Sequence, residues 1–217
     1  MATPAQRFRN RTDAGQRLAK ALGEYGGRDG VVVVGLARGG VPVAFEVARA
    51  LGTPLDVLVV RKLGMPGREE AALGAIAAGG IRVLDRRSID ELELPAELIE
   101  AIEATARREL ERRELVYRGG RPGPELAGKT VIVVDDGLAT GATMLAAVLA
   151  IRRHVPARLI VAVPVADPEV CATIGEVAGE AVCLITPRPL RAVGQWYDDF
   201  GQIGDDAVRD LLARAGV

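Results

Sequence analysis

Two stretches of the chain are unbroken runs of β-branched apolar residues: Val31-Val32-Val33-Val34 and Val131-Ile132-Val133-Val134. A strand with one wet face alternates apolar and polar positions, so these runs predict strands buried on both faces. Residues 55–60, 158–163 and 181–185 predict three more strands, and residues 71–78 with 81–84 a small hairpin turning at Gly79-Gly80. Between them the apolar spacing lengthens to three and four. Helices are predicted from Ala14 to Tyr25, capped by Asp13 with Leu18 and Leu22 on one buried face, and over residues 41–50, 144–151 and 168–177. The longest candidate covers residues 95–118, where Ile99, Ile102, Ala106 and Leu110 share a face and Glu103, Arg107, Glu111 and Arg112 form a solvated, charge-paired one. A last helix starts at Asp205 or Asp206 and runs to Ala215. Strand and helix alternate through the middle of the chain, which predicts an α/β fold: a Rossmann-like, mostly parallel sheet flanked by helices. Ligands of such sheets sit outside the carboxyl ends of the strands.

Chemistry concentrates at one of those ends. Residues 131–134 run directly into Asp135 and Asp136, then Gly137, Leu138 and the turn Ala139-Thr140-Gly141-Ala142-Thr143, then a helix. Such a loop aims free backbone N–H groups and two hydroxyls at one point beside the positive end of a helix dipole, a setting for a phosphate monoester. The two carboxylates cannot bind that phosphate. They suit sugar hydroxyls, or water on a magnesium ion. A ligand with a phosphate at one end and a vicinal diol beside it fits both halves.

Four apolar residues, two acids, a short spacer and Thr-Gly-x-Thr resemble the signature of the type I phosphoribosyltransferases, which bind phosphoribosyl pyrophosphate. The resemblance implies that Asp135 and Asp136 meet the ribose hydroxyls and, through water, a Mg2+ ion. It implies that Ala139, Thr140, Gly141, Ala142 and Thr143 hold the 5′-phosphate. The loop after the first core strand, Ala37-Arg38-Gly39-Gly40, would bind pyrophosphate through backbone N–H groups, with Arg38 adding a charge-assisted contact. Members of the family often have a strained or cis non-proline peptide there. Residues 61–80 begin Arg61-Lys62-Leu63-Gly64-Met65-Pro66-Gly67 and match a flexible loop that closes over substrate, so Lys62 and Arg61 would meet pyrophosphate oxygens. A hood built from residues 1–12 and 186–204 would receive the acceptor, with Trp196, Tyr197 and Phe8 as candidates to stack on it; packing of the hood explains Trp196 and Phe200 equally well. The core would span about residues 13–185 of a single domain. The position of Ala139 is an Asp in hypoxanthine and guanine enzymes, which weakens that substrate reading. The implied reaction is Mg-dependent transfer of phosphoribosyl to a nucleobase or related nitrogen heterocycle, releasing pyrophosphate. The alternative is a non-catalytic sensor of the same ligand. Family habit suggests a homodimer, which no residue pattern here requires.

Composition adds bounds. With 28 basic and 29 acidic residues the net charge is −1, which gives no electrostatic case for nucleic acid or an anionic membrane. No apolar run reaches the length of a membrane span, and the first residues lack a signal peptide's apolar segment, so a cytoplasmic location is expected. Cys171 and Cys183, the two cysteines, read as reduced and buried, and neither has zinc-pair spacing. His154, the single histidine, follows two arginines at a helix end.

Overall fold

The computed structural model describes residues 7–65 and 68–217, and for 68–72 the backbone path alone. The fold is α/β, as the alternation predicts. Strands β1 (Val31–Ala37), β2 (Leu55–Met65), β3 (Arg68–Ala77), β4 (Ile81–Leu84), β5 (Thr130–Val134), β6 (Arg158–Val165) and β7 (Glu180–Ile185) form one sheet in the order β4-β3-β2-β1-β5-β6-β7. β2, β1, β5, β6 and β7 are parallel, while β3 and β4 run antiparallel at one edge.

Helices cover both faces. Even-numbered residues of β1, Val32 and Val34, pack with α5 (Ala142–Arg152) and α6 (Pro168–Ala178). Odd-numbered Val31 and Val33 pack with α1 (Arg11–Ala21), α2 (Gly40–Leu51), α4 (Ala96–Arg118) and α7 (Asp205–Arg214). Val33 and Ile132 have no exposed surface, and each such side chain contributes roughly 1.5–3 kcal/mol of burial. Gly35 lets α2 come close: a Cβ there would stand 2.9 Å from the Cβ of Ala44 and 3.1 Å from the Cα of Val41. A short helix, α3 (Arg86–Glu91), follows β4.

Several local expectations are corrected. α1 begins three residues earlier than predicted, because Asn10 and not Asp13 is the N-cap, accepting from the amide of Asp13 at 3.0 Å. Asp13 lies buried inside the first turn, taking the Arg9 amide at 3.1 Å and the Arg17 guanidinium at 2.8 Å. The helix ends at Ala21, and Tyr25 falls in a separate 3-10 turn. Residues 61–65 and 68–77 are strand and not open loop: β2 continues through Arg61 and Lys62 to Met65 and pairs with β3, and β3 pairs with β4 as the expected hairpin, while Pro66 and Gly67 lie outside the described residues. Cys171 and Cys183 are neither reduced nor fully buried. They join α6 to β7 as a disulfide between half-buried residues whose Cα atoms are 6.7 Å apart. Their spacing hid this, since one sits on a helix and the other on the strand it packs against.

Residues 8–9 meet residues 196–200 beyond the ends of β6 and β7. Phe8 bridges Tyr197, its amide donating to the Trp196 carbonyl at 2.8 Å, and Phe8, Tyr197 and Phe200 stack in sequence. Residues 1–6 of the expected hood lie outside the described residues.

Candidate active site

β1 and β5 are neighbours, yet the chain leaves β1 for β2 on one side and leaves β5 for β6 on the other. The loops after them therefore diverge and open a crevice at their carboxyl ends, the topological switch point where doubly wound sheets bind ligands. A cavity of about 640 Å³ lies there, bounded by Arg38, Gly39, Lys62, the two acids and the 137–143 loop. The residues that close its far wall are Arg191, Val193, Phe200 and Gln202.

The loop after β5 is shaped by glycine and by its own anchors. Gly141, at φ +76°, holds the left-handed conformation that starts α5, and a Cβ on it would press to 2.7 Å from Val170 of α6. Leu138 is pinned between its amide's bond to Val165 and its carbonyl's bond from Asp167, both 2.9 Å. Among the described residues, the amides of 139–143 donate to no backbone or side-chain acceptor. Ala139 and Thr140 are exposed, and residues 139, 140, 141 and 143 line the cavity beside the positive end of α5.

The loop after β1 lies against the acids. The Ala37–Arg38 peptide is cis. Gly39 and Gly40 are required by proximity: a Cβ on Gly39 would fall 2.1 Å from Oδ2 of Asp136, and one on Gly40 would fall 2.5 Å from the Val134 carbonyl oxygen.

Each acid has one oxygen taken and one free. Oδ1 of Asp135 accepts from the Asp136 amide at 2.8 Å, and Oδ2 of Asp136 accepts from Nε of Arg11, also at 2.8 Å. Among the described residues, Oδ2 of Asp135 and Oδ1 of Asp136 accept from nothing. Burial raises the pKa of Asp135 well above the ordinary carboxylate value, with the charge of Asp136 adding to it. Burial raises Asp136 too, and the Arg11 guanidinium works against that. Tyr197 supports the pair from behind, its hydroxyl donating to the Asp136 carbonyl at 2.7 Å.

A family model for the phosphoribosyl transferase domain matches residues 6–171. The chain belongs to the phosphoribosyl transferase family. Two curated proteins of Mycobacterium tuberculosis, from strains CDC 1551 / Oshkosh and H37Rv and provisionally named phosphoribosyl transferases, are each 47% identical over 208 residues. Those matches cover 96% of this chain and 47% of each relative, so the chain spans about half the length of the curated relatives it matches. Among solved structures, TT1426 from Thermus thermophilus is 44% identical with a TM-score of 0.78, covering 96% of this chain and 98% of that one. AQ2163 from Aquifex aeolicus, at 17% identity and a TM-score of 0.50, covers 81% of this chain and 74% of its own, and shares the fold.

Within this phosphoribosyl transferase fold the residues singled out from sequence divide. Asp135, Asp136, Arg38, Gly39, Lys62, Ala139, Thr140, Gly141 and Thr143 line one cavity, and Ala37, Gly40 and Ala142 are their immediate backbone neighbours. Arg61 goes elsewhere. It points toward α4, where burial and the charges of Arg113, Arg38 and Arg112 lower its pKa while Glu109 offsets them in part. Phe8 and Tyr197 are buried, 1% and 2% exposed, so neither ring is open to a ligand, and half-buried Trp196 does not line the cavity. The aromatic ring at the cavity is that of Phe200. Arg11, Arg191 and Gln202 carry no local sequence signal. Arg11 meets Asp136 across 125 positions of chain, and only a family alignment or a fold could have brought them together.

Proposed function

We propose that this chain is a phosphoribosyltransferase domain that transfers phosphoribosyl from phosphoribosyl pyrophosphate to a nitrogen heterocycle, releasing pyrophosphate. The observation that carries the reading is the pair of unengaged carboxylate oxygens, on Asp135 and Asp136, beside a loop of unengaged amides at residues 139–143. A vicinal diol donates two hydrogen bonds and a 5′-phosphate accepts several, so one sugar phosphate satisfies both. The pyrophosphate would lie toward residues 37–40 and Lys62, where exposed Lys62 and half-exposed Arg38 bring positive charge to the departing oxygens. The acceptor would enter on the opposite face of the ribose, between Phe200, Val193 and Gln202. No protein nucleophile is needed. As the leaving group departs, the anomeric carbon becomes cationic, and what the protein supplies is alignment of the two reactants together with exclusion of water.

Mg2+ fits this donor set. No group of three or more His, Cys, Asp or Glu side chains could hold a metal among the described residues, so the two free carboxylate oxygens would act with diphosphate and hydroxyl oxygens from the ligand. When bound, the ion would neutralise charge on the diphosphate. The acceptor reading rests on the family and on a far wall that combines apolar Val193 and Phe200 with the amide of Gln202 and the charge of Arg191.

The test is pyrophosphate release with Mg2+ and phosphoribosyl pyrophosphate across purines, pyrimidines and other nitrogen heterocycles. Release with one of them, abolished together with ligand binding in Asp135→Asn/Asp136→Asn, is expected. Tight binding with no release across the panel would favour a sensor, and unchanged affinity in the double variant would remove the site itself.

A further inference from the structure

Arg11 makes three contacts with one guanidinium. Nε donates to Oδ2 of Asp136 at 2.8 Å, Nη1 donates to the Gly201 carbonyl at 2.8 Å, and the plane lies over the Phe200 ring at 3.9 Å from its centroid. The ion pair is nearly enclosed, with side-chain exposures of 10% and 15%. A lysine cannot reproduce this, because it offers a single point charge in place of a planar fork with a stacking face. Asp136 and Gly201 both line the cavity, and Arg11 is the bridge between them. On the other side of the carboxylate, Oδ2 fills the space that a Cβ on Gly39 would take. Oδ2 is therefore clamped between α1 and the β1 loop, and Oδ1 is presented to the cavity.

We propose that Arg11 is a positioning residue, which aims the free oxygen of Asp136 at the sugar diol and ties that acid to the segment 199–203 that walls the acceptor side. The inference rests on the phosphoribosyl reading for the identity of the diol. The physical linkage stands on the contacts alone. Occupation of Asp136 by a sugar hydroxyl strengthens the carboxylate's fixed orientation, which holds Arg11, which in turn holds the Gly201 carbonyl and the Phe200 ring. The acceptor wall is then held more firmly when the sugar is in place.

The experiment is amide hydrogen exchange over residues 198–204, read in the wild type, Arg11→Lys, Arg11→Met and Asp136→Asn, each with and without phosphoribosyl pyrophosphate and Mg2+. Asp136 reaches that segment through Arg11, and its carbonyl bond to Tyr197 survives the change to Asn. Exchange about tenfold faster in all three variants without ligand is the expected result. Added ligand is expected to slow exchange in the wild type and to leave it unaltered in Arg11→Met at concentrations where calorimetry reports saturation. Unchanged exchange in Asp136→Asn, or equal protection by ligand in Arg11→Met, would overturn the linkage. A wild type that binds no phosphoribosyl pyrophosphate would instead sink the proposed function, and the ligand-free comparison would still decide the role of Arg11. Arg11→Lys retains the charge, so a fold lost only in Arg11→Met does not stop the measurement.

Discussion

Gly39→Ala is a clean steric probe of the site. Gly39 sits at φ −62° and ψ −32°, a conformation alanine adopts without strain, so the substitution does not disturb the backbone through its dihedrals. By reducing the freedom of the unfolded chain it would even stabilise the protein by about 0.4–1 kcal/mol. Its single cost is the new methyl, which would stand 2.1 Å from Oδ2 and 2.8 Å from Cγ of Asp136. Real Cβ contacts stay beyond 3.0 Å, so the carboxylate must retreat by about 1 Å, out of the grip of Arg11 and away from the diol. A misplacement of that size costs on the order of 100-fold in a positioned site, which is about 2.7 kcal/mol. The assay is calorimetric titration with phosphoribosyl pyrophosphate and Mg2+, beside a thermal melt. Gly23→Ala is the control, since nothing lies within 4 Å of its would-be Cβ. Affinity reduced about 100-fold with a single cooperative melt, which shows the fold is kept, is expected for Gly39→Ala, and unchanged affinity for the control. Wild-type affinity in Gly39→Ala would refute the placement of Asp136 against the β1 loop and the role given to it.

Two further predictions concern the scaffold. Glu109 accepts from Arg112 at 2.7 and 3.0 Å and from Arg113 at 2.8 Å, which lowers its pKa to about 2 from an ordinary 4.5. A lowered pKa stabilises the fold fully above about 4.5, and that stabilisation is lost as pH falls toward 2. With Arg112 half in solvent the effect is discounted to about 1–2 kcal/mol, so denaturant unfolding of Glu109→Gln should show that deficit at pH 7 and little of it near pH 2; a deficit independent of pH would contradict the ion pairing. Closing a loop of 12 residues, the Cys171–Cys183 bond should add about 3 kcal/mol, so reduction or Cys171→Ala should lower the melting temperature; two reactive thiols in the unreduced, unfolded protein would exclude the bond.

The sheet and its ligand-binding end were legible because their signals are local. Residues 131–134 and 31–34 have no polar position to turn toward water, so both strands had to be central, and loops at the ends of central parallel strands had to border a crevice. The 135–143 stretch carried its own chemistry for the same reason: acids, glycine and hydroxyls are contiguous in the chain, and backbone amides at a helix start need no partner from elsewhere. What tertiary structure alone decided involves distance along the chain. Arg11 and Asp136 are 125 residues apart, Arg7 and Tyr197 are 190, and no periodicity encodes which arginine of an arginine-rich chain meets which acid. The aromatic tail illustrates the same limit: Tyr197 and Phe200 are three residues apart, yet one is buried under Phe8 and the other faces the cavity, because the direction of each ring in an irregular segment is set by what packs beneath it. Likewise Arg61 and Lys62 are adjacent, and the pleat of β2 sends them to opposite faces, one toward α4 and one to the cavity. The alternation could have been read from the sequence once that segment was known to be strand. Its glycines and charges argued for loop, and pairing with β3 overrode them.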